Sequence, residues 1–255
     1  MPEFIDTDQK GAILCIALNR PDKKNAITSA MYAALADALS KAAADDGVRV
    51  ALLHGRGGVF AAGNDLADFM ASPARTGNEP VFRFLRELAH FEKPLIAAVE
   101  GVAVGIGTTM LLHCDLVYAA PQTRFALPFV SLGLVPEAAS SYLLPRIAGW
   151  QRAAQWLMLG EPFGAPEALA AGMINAMVPP EHLLATAMEA AQKLAAKPQF
   201  ALRQAKRLMK QNQYEHIDHA MREEARVFAQ CLQSPEAKEA FAAFFEKRKP
   251  DFSRI

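Results

Sequence analysis

The sequence is poor in cysteine, with Cys15, Cys114 and Cys231 among 255 residues. They stand far apart and form no CxxC pair, which excludes a disulfide framework and a zinc site. Cys15 and Cys114 lie in apolar stretches and read as small core residues, and such usage fits a reducing compartment. An excess of one charge is missing too. Lys plus Arg number 27 and Asp plus Glu number 27, so charge gives no case for nucleic acid or an acidic membrane surface as partner. No run approaches the roughly 20 apolar residues that a membrane helix needs. Met1-Pro2-Glu3-Phe4 has no basic segment ahead of an apolar core, and no signal peptide is expected. Ser253-Arg254-Ile255 is not a peroxisomal Ser-Lys-Leu ending. The expectation is a soluble, cytoplasmic protein with no membrane partner.

Nucleotide and hydrolase signatures are absent as well. Gly105-Ile106-Gly107 follows a strand pattern and opens a helical one, but Met110 stands where a dinucleotide fingerprint needs its third glycine. There is no Gly-Lys-Ser/Thr phosphate loop, no HExxH and no GxSxG. The histidines are scattered, and His113 on an apolar helix reads as a hydrogen-bonded core residue. Arg56, in the turn Gly55-Arg56-Gly57-Gly58, reads as a surface residue rather than part of a basic patch.

What is present is an ordinary globular composition, 52% hydrophobic and 21% charged, enough for one large core. Ala12–Leu18, Val48–His54, Leu95–Val99 and Asp115–Ala119 read as strands. Thr28 or Ser29 caps a helix to about Ala44, and Phe82–Phe91 is helical in pattern. Ser72–Pro80 reads as a loop, and Gly101–His113 as a glycine start turning helical. Strands separated by helices predict an α/β core with buried strands. After Trp150 the pattern is almost wholly helical, with segments at Pro180–Ala195, Ala201–Gln211 and Ile217–Phe245.

Three segments carry chemistry. The first is Asn19-Arg20-Pro21-Asp22-Lys23-Lys24-Asn25-Ala26. The second is Phe60-Ala61-Ala62-Gly63-Asn64-Asp65-Leu66, and the third is Gly101-Val102-Ala103-Val104-Gly105-Ile106-Gly107, continued through His113-Cys114-Asp115-Leu116. Gly63 and Gly105 leave backbone uncovered, so a ligand can approach N–H groups closely. Two such loops, one at a helix start, can aim two donors at one oxygen that gains negative charge. Tight turns and close packing would explain the same glycines.

In order and spacing the three segments resemble the crotonase (enoyl-CoA hydratase/isomerase) family along nearly the whole chain. The resemblance implies a spiral of ββα units over residues 1–199 and a helical trimerisation region over 200–255. It implies a homotrimer or a dimer of trimers. It implies an acyl-CoA thioester as substrate, with coenzyme A entering as part of that substrate, no permanently bound cofactor and no metal. The N–H groups of Ala62 and Ile106 would hold the thioester oxygen. CoA would lie along Lys23, Lys24 and Ala26 and along Ala62, Gly63, Asn64, Asp65 and Leu66, and the run Glu246-Lys247-Arg248-Lys249 resembles a tail that contacts phosphate.

The two glutamates of the family's hydratases are missing. Thr109 and Phe129 occupy their positions, and neither can activate water or deliver a proton as that pair does. Leu132-Gly133-Leu134-Val135-Pro136-Glu137-Ala138-Ala139-Ser140-Ser141 instead resembles the stretch in peroxisomal-type Δ3,Δ2-enoyl-CoA isomerases, where the glutamate after the proline moves the proton. Gly63-Asn64-Asp65-Leu66 and the apolar Ile106 resemble the same branch. The resemblance implies that Glu137 is the proton carrier of a 3-enoyl-CoA to trans-2-enoyl-CoA isomerase of fatty acid β-oxidation type. Locally, a first-turn helix glutamate after Pro136 would explain Glu137 equally. Asp65 reads as a helix cap or loop anchor and Asp115 as a structural partner at its strand start. Phe129, Leu127 and Tyr142 are candidates for an apolar wall. The alternatives are an enoyl-CoA hydratase, a ring-isomerising relative, or a non-catalytic acyl-CoA-binding or RNA-binding member.

Overall fold

The computed structural model describes residues 4–71 and 79–255. Nine strands lie among them: β1 (Ile5–Lys10), β2 (Ile13–Leu18), β3 (Val50–Gly55), β4 (Leu95–Val99), β5 (Val102–Val104), β6 (Leu116–Ala119), β7 (Arg124–Ala126), β8 (Phe163–Gly164) and β9 (Ala176–Met177). The α-helices are α1 (Ser29–Ala44), α2 (Leu66–Ala71), α3 (Pro80–Ala89), α4 (Ile106–Thr109), α5 (Ser140–Ala148), α6 (Trp150–Ala154), α7 (Ala165–Ala170), α8 (Pro180–Ala195), α9 (Gln199–Lys210), α10 (Tyr214–Cys231) and α11 (Pro235–Phe245). The loop expected at Ser72–Pro80 falls mostly outside the described residues, and its last residue, Pro80, opens α3.

A six-stranded sheet runs β1-β2-β3-β4-β6-β9, and a three-stranded sheet runs β5-β7-β8. In the large sheet only β1 pairs antiparallel. Consecutive strands β4 and β5, then β6 and β7, pass from the large sheet to the small one. This is the spiral of ββα turns expected for the chain.

The strands read as unbroken apolar runs because the large sheet is covered on both faces. Its residues divide with period two. Ile16, Leu18, Ala51, Leu53, Leu95, Ala97 and Val99 face the main core. Ile13, Cys15, Val50, Leu52, Ile96 and Ala98 face a second core closed by Leu183, Ala187 and Ala191 of α8. Thr28 caps α1 through its side chain, accepting from the Met31 N–H at 3.3 Å.

Five strands escaped the sequence pattern, among them the two-residue β9. β1 is polar and exposed over most of its length, so it shows no hydrophobic period. β5, β7 and β8 have two or three residues each, too few for alternation. The helical segment expected over Ile217–Phe245 is two helices. Ser234 accepts from the Ala237 N–H and Pro235 occupies the first turn, so the chain stops at Cys231 and restarts at Pro235. Ala237 and Phe241 of α11 bury in the same main core as the sheet.

Candidate active site

The first two sequence motifs are locked together. Asn25 is fully buried with φ 55°. It accepts from the Arg20 N–H at 2.7 Å and donates to the Arg56 and Val59 carbonyls at 3.0 and 2.7 Å. Next to it, the Lys24 carbonyl accepts the Ala62 N–H at 2.9 Å. Ala62 was an expected donor to the thioester oxygen, and that expectation is corrected here: its N–H is already spent inside the fold. The neighbouring Asn64 N–H has no acceptor among the described residues. The peptide that carries it turns at Gly63, whose φ is 92° and whose missing Cβ would stand 3.0 Å from the Val104 carbonyl oxygen.

Ile106 begins α4, so no acceptor exists for its N–H within the helix, and none is found elsewhere among the described residues. Gly105 before it sits at φ 53°, ψ −120°, where residues with a Cβ rarely go. Asn64, Gly105 and Ile106 line one cavity of about 270 Å³ with Leu66, Phe69, Phe129 and Phe228. Two main-chain donors at a helix start and a glycine turn therefore open into apolar space, an arrangement suited to an oxygen gaining charge.

Asn64, Phe69 and Phe228 also border a narrower cavity of about 60 Å³, and this one contains Glu137 and Glu224. Burial pushes the Glu137 pKa up to about 8, the nearby Glu224 charge adds to the rise, and one hydrogen bond from Thr109 opposes it. Thr109, at a missing hydratase acid's position, is fully buried and donates to Glu137 Oε1 at 2.5 Å. Glu137 is not in the first turn of a helix: α5 begins three residues later at Ser140, whose N–H and hydroxyl both bond the Glu137 carbonyl. Ala138 and Ala139 between them have φ of 58° and 57°.

The other sequence candidates divide clearly. Asp65 pairs with Arg20 at 2.7 Å and accepts the Ala67 and Asp68 N–H groups, so it is the anchor and cap that was expected. The Arg20 hydrogen bond holds its carboxyl below the usual range. Asp115 accepts from the Leu95 N–H and pairs with the buried Lys206 at 2.6 Å. His113 is buried and bonds the Ala138 carbonyl at 2.8 Å, as a core histidine. Lys23 and Lys24 are exposed in the loop after β2, while Ala26 gives its carbonyl to Arg20. Arg248 is bound to Glu239 and Glu246 within its own chain. Of the three wall candidates, Phe129 lines the larger cavity, Leu127 is core, and Tyr142 lies elsewhere, stacked on His216 under the Arg146 guanidinium.

Two participants were missed. The Tyr32 hydroxyl donates to Asn64 Oδ1 at 2.5 Å, and burial together with the Glu137 charge holds its pKa well above the usual phenol value. Glu224 had a legible signal: it interrupts the stripe Ile217, Met221, Phe228 at helical spacing. A carboxylate on an apolar stripe implies buried partners.

The profile of the enoyl-CoA hydratase/isomerase family matches residues 8–254. The chain is 37% identical over 262 residues to the 1,2-epoxyphenylacetyl-CoA isomerase of Escherichia coli, with 99% of each covered. It is 39% identical over 222 residues to enoyl-CoA delta isomerase 2 of Rattus norvegicus, covering 84% of this chain and 56% of that one. The crystal structure of an enoyl-CoA hydratase/isomerase from Pseudoalteromonas atlantica superimposes with a TM-score of 0.94 at 41% identity, covering 98% of this chain and 100% of that one. With these matches along its whole length, and with the two-sheet spiral and paired amide donors described above, the chain belongs to the enoyl-CoA hydratase/isomerase family, the crotonases.

Proposed function

We propose that the protein isomerises 3-enoyl-CoA to trans-2-enoyl-CoA with Glu137 as the single proton carrier. The thioester oxygen accepts hydrogen bonds from the N–H groups of Asn64 and Ile106. Ionised Glu137 takes a proton from C2, the C2–H electron pair spreads through the C3=C4 bond and the thioester as a dienolate, and the same carboxyl returns the proton to C4. The double bond ends between C2 and C3, and atoms and charge balance. The donors bind more strongly as charge grows on the oxygen, so they lower the barrier rather than only tighten binding.

One observation carries this reading: a buried carboxyl with its pKa raised to about 8 sits in a narrow cavity that shares Asn64, Phe69 and Phe228 with the cavity of the two open N–H groups. A base of that strength is matched to abstraction beside a thioester near neutral pH. The absence of both hydratase acids at Thr109 and Phe129 supports isomerisation over hydration. CoA would run along Lys23, Lys24 and Ala26 and past Gly63 to Leu66. The exposed Phe200 and Met209 of α9 offer apolar surface to a second and third copy, in keeping with a trimer.

The test is Glu137→Gln assayed with 3-hexenoyl-CoA by the absorbance of the conjugated product. Removing a general base costs about 10²–10⁴-fold, and a folded variant with near-normal turnover removes Glu137 from the reaction. Crotonyl-CoA hydration and conversion of 1,2-epoxyphenylacetyl-CoA are run beside it. Faster turnover of either one than of 3-hexenoyl-CoA reassigns the enzyme within the family.

A further inference from the structure

We propose that Glu224 is a positioning residue: from α10 its carboxylate clamps the strained loop behind Glu137 and fixes where the Glu137 carboxyl points. The inference rests on the isomerase reading above and deepens it. Three donors converge on Glu224. Its Oε2 accepts the Ala139 N–H at 2.6 Å, and its Oε1 accepts the Ser141 N–H at 2.9 Å and the Ser141 hydroxyl at 2.5 Å. Both oxygens act as acceptors, which is the pattern of an ionised carboxylate. Burial pushes the Glu224 pKa up, and these donors pull it back.

The clamp acts on the place that needs one. Ala138 and Ala139 are consecutive non-glycine residues in the left-handed region, where such residues are uncommon singly. Locally, only the Ser140 N–H and hydroxyl close the turn on the Glu137 carbonyl, and Ala139 has no side-chain cap to offer α5. A second hold comes from outside the loop. Glu224 takes the Ala139 N–H, and His113 bonds the Ala138 carbonyl at 2.8 Å. Releasing the two alanines would swing Glu137, which directly precedes them. Packing alone does not explain an acid here, because Ile217 and Met221 on the same stripe are apolar. Glu224 also borders the Glu137 cavity, so two carboxyls share one apolar space. The groups facing Glu137 are Tyr32 from α1, Thr109 from α4 and Glu224 from α10, with His113 one residue away on the Ala138 carbonyl.

The experiment compares Glu224→Gln with wild type and with Glu137→Gln, using 3-hexenoyl-CoA and reading kcat, KM, melting temperature and the pH profile of kcat/KM. The amide in Glu224→Gln keeps the shape of the carboxylate but sets an NH2 against one of the loop N–H groups. The expected result is a fall in kcat of about tenfold to a hundredfold with KM within about twofold, since a misdirected base costs rate rather than binding. The acidic limb of the profile should also move to lower pH, because the negative charge that opposes Glu137 ionisation is gone. A variant with a lower melting temperature but wild-type kcat and an unmoved limb overturns the proposal, leaving Glu224 a packing residue. If Glu224→Gln does not fold, Ser141→Ala removes one of the three donors and keeps the charge. A loss of kcat of about threefold or more then supports the clamp, and wild-type kcat overturns it. Should Glu137→Gln retain turnover, the isomerase reading itself falls, and with it this inference. An inactive Glu137→Gln beside an unimpaired Glu224→Gln sinks the positioning role alone.

Discussion

The two loops that close on the site, Phe60–Asp65 and Pro136–Ser141, solve one problem in opposite ways. Each must put backbone into a left-handed turn. The first does so with Gly63, at φ 92°, where the residue type itself removes the penalty. The second does so with Ala138 and Ala139, which each cost about 1–2 kcal/mol in that region. Hydrogen bonds to a charged acceptor contribute about 1.5–3 kcal/mol apiece. Glu224 accepts one from Ala139 and two from Ser141 beside it, a set comparable in size to the cost of the two alanines. One loop is shaped by its own residue type, and the other, closed locally by Ser140, is also held by a carboxylate from across the molecule. The first presents main-chain amides, which do not titrate, and the second presents a carboxyl, which does.

The largest effect should come from breaking the loop that is shaped from within. In Gly63→Ala the new Cβ meets the Val104 carbonyl at 3.0 Å on a backbone that already disfavours it. The peptide must rotate and carry the Asn64 N–H off target. Loss of one such donor costs on the order of a hundredfold or more in kcat. Steady-state kinetics on the folded variant check this, and undiminished kcat would rule out Asn64 as a donor.

The next test exploits the titrating loop. With its pKa raised from 4.5 to about 8, Glu137 binds its proton more tightly folded than unfolded. Its contribution to stability is therefore complete at low pH and is lost as pH rises from 4.5 through 8. Glu137→Gln should melt above wild type, by little at pH 5 and by an amount on the order of a few kcal/mol at pH 8. The same shift predicts wild-type kcat/KM that climbs about tenfold per pH unit below 8 and then levels. Parallel melting curves at pH 5 and pH 8 would show that the burial penalty is not there.

A smaller effect asks whether the alanines are strained at all. Ala138→Gly with Ala139→Gly should raise stability by about 1 kcal/mol or less, because relief in the fold is partly offset by a freer unfolded chain. For a chain of this size, that is a melting shift of a few degrees. Glu224→Gln should also cost less stability in this background than in wild type, since there is less strain to restrain. A double-mutant cycle measures that coupling, and strict additivity would mean that Glu224 does not act on these residues.

The contrast between the loops explains what could be read from the sequence. The large sheet was legible because β2, β3, β4 and β6 are continuous apolar runs. Gly63 and Gly105 announced the two open turns by residue type. Which N–H groups stayed free was not legible, because the Ala62 amide is spent on Lys24, a partner that only the packed fold supplies. Glu137 was found through its neighbours in sequence. Its environment was not, since Thr109, Tyr32 and Glu224 reach it from three separate helices. A left-handed alanine has no signature in composition, and only the acid on the stripe of α10 hinted that something distant was being held.

The smallest prediction concerns the other hand on the same loop. His113 bonds the Ala138 carbonyl with Nε2, so Nε2 carries a proton. Its Nδ1 is buried with no partner among the described residues. Burial, aided by the Lys210 charge, pushes its pKa from 6.5 down to about 4. The unfolded chain therefore takes up this proton first as pH falls, and stability drops between about pH 6.5 and 4. At pH 5.5 the loss is about 1 kcal/mol, and at pH 7 it is close to nothing. His113→Gln keeps an amide donor for Ala138 and cannot titrate. Its melting temperature at pH 7 should fall below wild type through poorer packing, but the further drop on going to pH 5.5 should shrink. If the drop is as large in the variant as in wild type, a group other than His113 governs acid sensitivity.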